Sequence, residues 1–265
     1  MRKSHLLLLD VGNTNTKVGL AGPAQDGRGL LAAYSLPTDP AATADSLGLD
    51  LTALVRHAGV EPGQVEALAV SSVAPSQDGK LRDAARRFFG CAALFAPEDL
   101  PLPLENRYAR PQEVGADRLV TAFAARELVP EGDLIVIDFG TATTFDVVSG
   151  DAYLGGLIGP GVLSSARALA TGTAKLPQIS LEAAGPDIAV GRSTSASLNQ
   201  GLVHGFAAMA EGLVARLNRT LDRPPATVIA TGGFAPALAR VTDCFHRVEP
   251  DLLLNGLLLA YGRKG

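Results

Sequence analysis

Cysteine is scarce: two in 265 residues. Cys91 and Cys244 lie far apart among apolar neighbours, which excludes a disulfide framework and reads as two buried thiols in a reducing cytosol. Histidine is scarce too. His5, His57, His204 and His246 are dispersed, with no Cys or acidic partner at metal-ligand spacing, so a structural zinc site is excluded. Clustered charge is missing: 23 basic and 27 acidic residues leave a net charge of −4, and the Arg and Lys are scattered. The footprint of a nucleic-acid binder is therefore absent, and small molecules are the expected partners. No apolar run approaches the roughly 20 residues that span a bilayer. Arg2 and Lys3 precede leucines in the manner of a signal peptide, but Asp10 stops that run too early. A cytoplasmic protein with neither membrane nor nucleic-acid partner is expected. Also lacking are a Gly-x-Ser-x-Gly elbow, a Walker A lysine motif and a dinucleotide glycine fingerprint, which removes hydrolase, P-loop and dehydrogenase chemistry. The length suits two α/β domains of roughly 120 to 140 residues each, with no room for an appended module.

What the chain does contain is one short signature written twice. In the first copy the apolar strand Leu6-Leu7-Leu8-Leu9 ends in Asp10-Val11-Gly12-Asn13-Thr14-Asn15-Thr16-Lys17, and a second strand follows. In the second copy Leu134-Ile135-Val136-Ile137 ends in Asp138-Phe139-Gly140-Thr141-Ala142-Thr143-Thr144. Gly12 and Gly140 let the backbone turn sharply and approach a bulky anion, while Thr and Asn add donors. A carboxylate beside a bound phosphate repels it unless a cation bridges the two, so Asp10 and Asp138 imply metal ions. Either copy alone reads equally well as an ordinary hairpin. Two copies, each at the head of a chain half, are what a duplicated nucleotide-binding fold requires.

Between the signatures, periodicity predicts a third strand over residues 29–36 and a helix over 40–58 with Leu47, Leu51, Leu54 and Val55 on one face. A strand over 65–73 and a helix over 76–89 with a solvated charged face follow. Four prolines over residues 97–111 predict an irregular crossing loop, with the domain boundary near its end. A helix over 114–129 leads into the second signature. Residues 155–161, rich in glycine, predict a rigid turn feeding a helix over 162–170, and residues 171–188 a loop-rich insert. Ser193 or Thr194 caps a long helix to about Leu221, whose apolar stripe and small residues Gly201, Gly205, Ala208 and Gly212 suit close contact, within the domain or across a dimer axis. The strand over 227–231 ends in Gly232-Gly233 before a further helix, an order that suits an adenosine platform. The last helix, over 251–261, is leucine-rich all round and so buried.

Gly115-Ala116-Asp117-Arg118 is the most diagnostic string. As a carboxylate in the first turn of a helix, whose dipole favours the ionised form, Asp117 is a candidate group for orienting a hydroxyl and accepting its proton. Outside this context the pair Asp117-Arg118 reads as surface charge.

The paired motifs resemble those of the acetate and sugar kinase, heat-shock 70 and actin superfamily. Within it the chain looks most like a type III pantothenate kinase over nearly its full length. That resemblance implies an α/β fold of two related ribonuclease H-like, actin-like ATPase domains, residues 1–113 and 114–265. Each is a mixed sheet flanked by helices, with an ATP cleft between them. It implies phosphoryl transfer from ATP to the 4′-hydroxyl of pantothenate, at the entry to coenzyme A biosynthesis, by a homodimer whose seam is the long helix. It also implies that Asp117 is catalytic and that Tyr108, Gly115, Ala116, Asp117, Arg118 and Thr194 contact pantothenate. ATP falls to Asp10, Val11, Gly12, Asn13, Thr14, Asn15, Thr16, Lys17, Thr141, Gly232 and Gly233. Mg²⁺ is held by Asp10 through water, and a monovalent cation, K⁺ or NH₄⁺, by Asp138. The alternatives are a transcriptional regulator like the Bvg accessory factors of the same family, and a kinase for another small acceptor.

Overall fold

The computed structural model describes residues 4–22, 29–173, 175–221 and 224–264. Arg2 and Lys3 lie outside them. In chain order the first elements are β1 (His5–Val11), β2 (Asn15–Ala21), β3 (Leu30–Pro37), α1 (Ala44–His57), β4 (Val65–Ser72), α2 (Pro75–Ala84) and β5 (Ala92–Phe95). Next come β6 (Glu105–Asn106), α3 (Ala116–Leu128), β7 (Asp133–Phe139), β8 (Ala142–Ser149), β9 (Ala152–Pro160) and α4 (Val162–Gly172). The chain continues through α5 (Thr194–Leu221), β10 (Thr227–Thr231), α6 (Ala235–Leu238), β11 (Arg247–Val248) and α7 (Leu252–Gly262).

Two compact units result, and neither is one continuous stretch. The first comprises Met1–Leu104, Ala109–Ala124 and Leu252–Gly265, the second Glu105–Tyr108 and Ala125–Asp251. The first unit's sheet runs β3-β2-β1-β4-β5, antiparallel from β3 to β1 and parallel from β1 to β5. One face, with Leu7, Leu9 and Val11, packs on Leu51 and Val55 of α1 and Leu81 of α2. The other face, with Leu6 and Leu8, packs on Val120 and Phe123 of α3 and on Leu254 and Leu257 of α7. That return explains why α7 is apolar nearly all round: residues as distant in sequence as β1 and α7 share one core. The second unit's sheet runs β11-β10-β7-β8-β9-β6. Apart from β6 this is the same design, an antiparallel meander β7-β8-β9 with β10 and β11 added in parallel. Its core sets Ile135, Ile137 and Phe145 against Phe206, Ala210 and Val214 of α5.

Local chemistry moves several boundaries. Helix α1 starts at Ala44 because Thr43 caps it: Ser46 N–H donates to Thr43 Oγ1 at 3.1 Å and Thr43 N–H to Ser46 Oγ at 2.9 Å, a reciprocal capping box. Residues 40–43 stay outside the helix. Ser193, not Thr194, caps α5, its hydroxyl accepting Ala196 N–H at 3.2 Å. The expected glycine turn over 155–161 is instead mostly strand β9. Its glycines serve close packing: a Cβ on Gly156 would run into the Phe145 carbonyl, and Gly155, at φ +112, lies under the Tyr108 ring. The crossing loop holds a two-residue strand, β6, paired with the start of β9. Cys91 and Cys244 are half-buried and form no disulfide. No helix among the described residues is long and apolar enough to cross a membrane.

Candidate active site

Both signatures fold as strand-turn-strand, and the duplication extends to register. In the first unit Gly12 N–H closes the hairpin on Asn15 O at 3.1 Å. Asp10 pairs with Lys17 on the antiparallel side and with Ser71 on the parallel side. In the second, Gly140 N–H closes on Ala142 O at 3.0 Å. Asp138 pairs with Thr144 and Thr231 in the same two senses. Each acid thus stands at the carboxyl end of its central strand, flanked by a hairpin and by a parallel neighbour.

Alternation along β1 puts Asp10 on the face that carries Leu6 and Leu8, the face covered by α3 and α7. Asp117 opens α3 three residues before Val120, which packs on that face, and i and i+3 positions of a helix are neighbours. The fold therefore brings Asp10 and Asp117 to one face of one sheet. Gly115 gives the carbonyl that takes the first bond of α3, from Leu119 N–H at 3.3 Å. A side chain there would overlap Asp117 Oδ1 and come within 3.1 Å of Val73. Arg118 N–H donates to Asp117 Oδ1 at 2.8 Å. Burial pushes the Asp117 carboxyl above its ordinary range, outweighing the opposing Arg118 amide bond and Arg118 charge. The helix-end position alone predicts the reverse, so desolvation decides the direction.

In the second unit Gly232, at φ +88 directly after β10, leaves room for Asp138: a Cβ would overlap Asp138 Oδ1 and approach Phe139 C and O at 2.7 Å. Gly233 is exposed. Thr141 is exposed, and Ser164 Oγ of α4 donates to its carbonyl at 2.7 Å, bracing the turn. Tyr108 is half-buried beside Tyr153, with ring centroids 6.5 Å apart. Thr194 is exposed at the start of α5, beside a shallow cavity with Leu169, Leu176 and Leu198. Sequence reasoning missed Ser71 and Thr231, the buried hydroxyl residues beside the two acids; in both, a small polar residue ending an apolar strand was the available signal. No group of three or more His, Cys, Asp or Glu side chains able to hold a metal gathers among the described residues.

The fold compares with a ROK family glucokinase from Streptomyces griseus solved with glucose and AMPPNP, at TM-score 0.54 and 17% identity over 98% of this chain and 100% of that one. It compares equally with the ethanolamine utilization protein EutJ from Carboxydothermus hydrogenoformans, at TM-score 0.54 and 17% identity over 98% and 90%. A duplicated mixed α/β sheet with an acid at the head of each copy defines the class: the actin-like ATPase and ROK sugar-kinase fold. Sequence narrows it. A family model described as type III pantothenate kinase matches residues 6–216. The type III pantothenate kinase of Oleidesulfovibrio alaskensis is 58% identical over 263 residues, 99% of this chain and 98% of that one. That of Sphingopyxis alaskensis is 42% identical over 260 residues, 97% and 98%. The chain belongs to the type III pantothenate kinase family.

Proposed function

We propose that this protein transfers the γ-phosphoryl group of ATP to the 4′-hydroxyl of pantothenate, giving 4′-phosphopantothenate and ADP, the first step of coenzyme A biosynthesis. Family membership carries the reaction. The observation that carries the site is that Asp117 and Asp10 share one face of the first unit's sheet, beside the turn over residues 12–15.

Asp117 orients the hydroxyl and takes its proton as the oxygen bonds to the γ-phosphorus and the bond to ADP breaks. A carboxyl held above its ordinary range is a better base than a free aspartate, and Arg118 N–H fixes which oxygen is turned away. Gly115, Ala116, Arg118, Tyr108 and Thr194 contact pantothenate. Residues 10–17 cradle the phosphates with turn amides and hydroxyls. In the second unit, Thr141, Gly232 and Gly233 contact the nucleotide.

A kinase using ATP works with a divalent ion such as Mg²⁺. The residues fit it: Mg²⁺ keeps several waters and takes one or two carboxylates plus phosphate oxygens, so Asp10 suffices without a three-ligand cluster. Asp10 would hold the ion, which would supply neutralisation of the phosphate charge. Asp138, whose carboxylate lies in a pocket that a Cβ on Gly232 would fill, suits a monovalent cation, K⁺ or NH₄⁺. The protein works as a cytoplasmic homodimer, with the exposed small-residue stripe of α5 as its seam. An ADP-release assay with pantothenate, Mg²⁺ and K⁺ tests the reaction: turnover is expected, and its absence, or a preference for another small acceptor, rejects the assignment.

A further inference from the structure

On the face of the first sheet opposite Asp10, a cavity of about 220 Å³ lies among β1, β3, α1 and α2. Leu9, Val11, Leu36, Leu47, Leu51 and Leu81 make its apolar wall. Its polar lining is unbalanced. Asp39 and Asp50, both exposed, bring negative charge, with Asp39 Oδ1 already accepting Ala41 N–H at 2.8 Å, and no Lys, Arg or His lines it among the described residues. Gln77 is 3% exposed. Its Nε2 donates to Asp39 O at 2.9 Å, which fixes the orientation of the amide. The other end, Oε1, is buried with no hydrogen-bond partner, a state that folded proteins avoid unless something else supplies the donor. The hydroxyls are committed elsewhere: Thr16 Oγ1 and Thr38 Oγ1 bond each other at 2.8 Å, and Ser46 completes the cap of α1. Acceptors are thus in excess, charge is negative, and the walls are greasy.

We infer that this cavity binds a small primary amine with an apolar body, and that the occupant tunes the ATP turn. An ammonium brings three N–H donors and the missing positive charge. A dry cavity of 150 Å³ already holds benzene, so this one holds a ring with an aminomethyl arm. The path to the turn is short. Thr38, in the cavity wall, donates its N–H to Thr14 O at 2.9 Å within the turn, and Thr16, its hydroxyl partner, is on the strand leaving it. The tuning rests on the proposed role of residues 12–15 in holding ATP; the binding does not.

Benzylammonium chloride, benzyl alcohol and sodium benzoate, titrated into the full chain and followed by amide nitrogen–proton correlation spectra, separate the possibilities. Benzylammonium is expected to saturate, moving the amides of residues 38–51 and Gln77, at least tenfold more tightly than benzyl alcohol, while benzoate does not bind. Equal binding of the three, shifts confined to other regions, or no saturable binding would overturn the site. Leu47→Phe, which fills the cavity, is expected to abolish benzylammonium binding and preserve the fold. Should it not fold, Asp50→Asn, at an exposed helix position, is expected to weaken benzylammonium at least fivefold, and unchanged affinity overturns the site. Saturating benzylammonium is expected to change the KM for ATP at least threefold in the parent chain and not in Leu47→Phe; an unmoved KM despite binding overturns the tuning. A chain without kinase activity defeats the ATP reading and leaves the spectra decisive.

Discussion

Gly115 stands directly against Asp117: the space a side chain would need at the first is already taken by Oδ1 of the second. A two-residue offset at the mouth of α3 thus fixes where the proposed base points. For Gly115→Ala the expected outcome is a fall in kcat of roughly ten- to a hundredfold, since misplacing a reacting group by about 1 Å costs that much. The KM for ATP should stay within about twofold, because residues 10–17 are untouched. Steady-state kinetics with each substrate varied checks this; a raised KM for ATP with normal kcat rejects the positioning role.

Asp117→Asn removes the charge and keeps the shape. Turnover is expected to drop about 10²- to 10⁴-fold. Stability should move the other way. Burial raises the folded pKa of Asp117, so the folded protein holds that proton to higher pH than the unfolded chain does. The favourable contribution is complete below the ordinary aspartate range, near pH 4, and is lost as pH rises through the raised value. Asp117→Asn should therefore melt higher than the parent at pH 7 and show little difference at pH 4. Scanning calorimetry at both pH values measures the gap, and a lower melting temperature for the variant at pH 7 contradicts it.

Asp138→Ala is expected to weaken ATP use and abolish activation by K⁺. Persistent K⁺ activation would take Asp138 out of the cation site. Gly232→Ala reaches the same carboxylate from the other side, forcing a side chain at φ +88 into Asp138 and Phe139. Backbone strain alone is worth about 1–3 kcal/mol, so urea unfolding should show a loss of that size or larger, and an unchanged midpoint would be the wrong result.

Gly205 is exposed on α5, within the stripe assigned to the dimer seam. Gly205→Arg is expected to halve the mass measured by sedimentation equilibrium without altering the circular dichroism spectrum. A variant with the parent's mass moves the seam elsewhere.

The two strand-turn-strand hairpins were legible because their signals are local: an apolar strand, an acid, then a glycine. Helix α5 was legible for a similar reason, since Leu202, Phe206, Leu213 and Leu217 recur at helical spacing. Strand β5, only Ala-Ala-Leu-Phe, and β6, a two-residue Glu-Asn, carry no period long enough to read and exist because β4 and β9 offer them edges. The glycines of β9 misled for a physical reason: glycine density marks turns, yet here it lets one strand sit against the Phe145 carbonyl. Asp117 is picked out as the candidate base by its motif. Its companionship with Asp10 on one sheet face was not visible in sequence, because it depends on how α3 lies across β1.

The placement of α7 has a consequence for biogenesis. Leu254 and Leu257 cover the same sheet face as Leu6 and Leu8, so during translation the earliest strand waits, with that greasy side covered by α3 alone, until almost the whole polypeptide has emerged. A ribosome stalled anywhere before residue 252 holds a nascent chain whose first sheet lacks the α7 part of that cover, which makes this enzyme a natural client for chaperones that shield apolar surface.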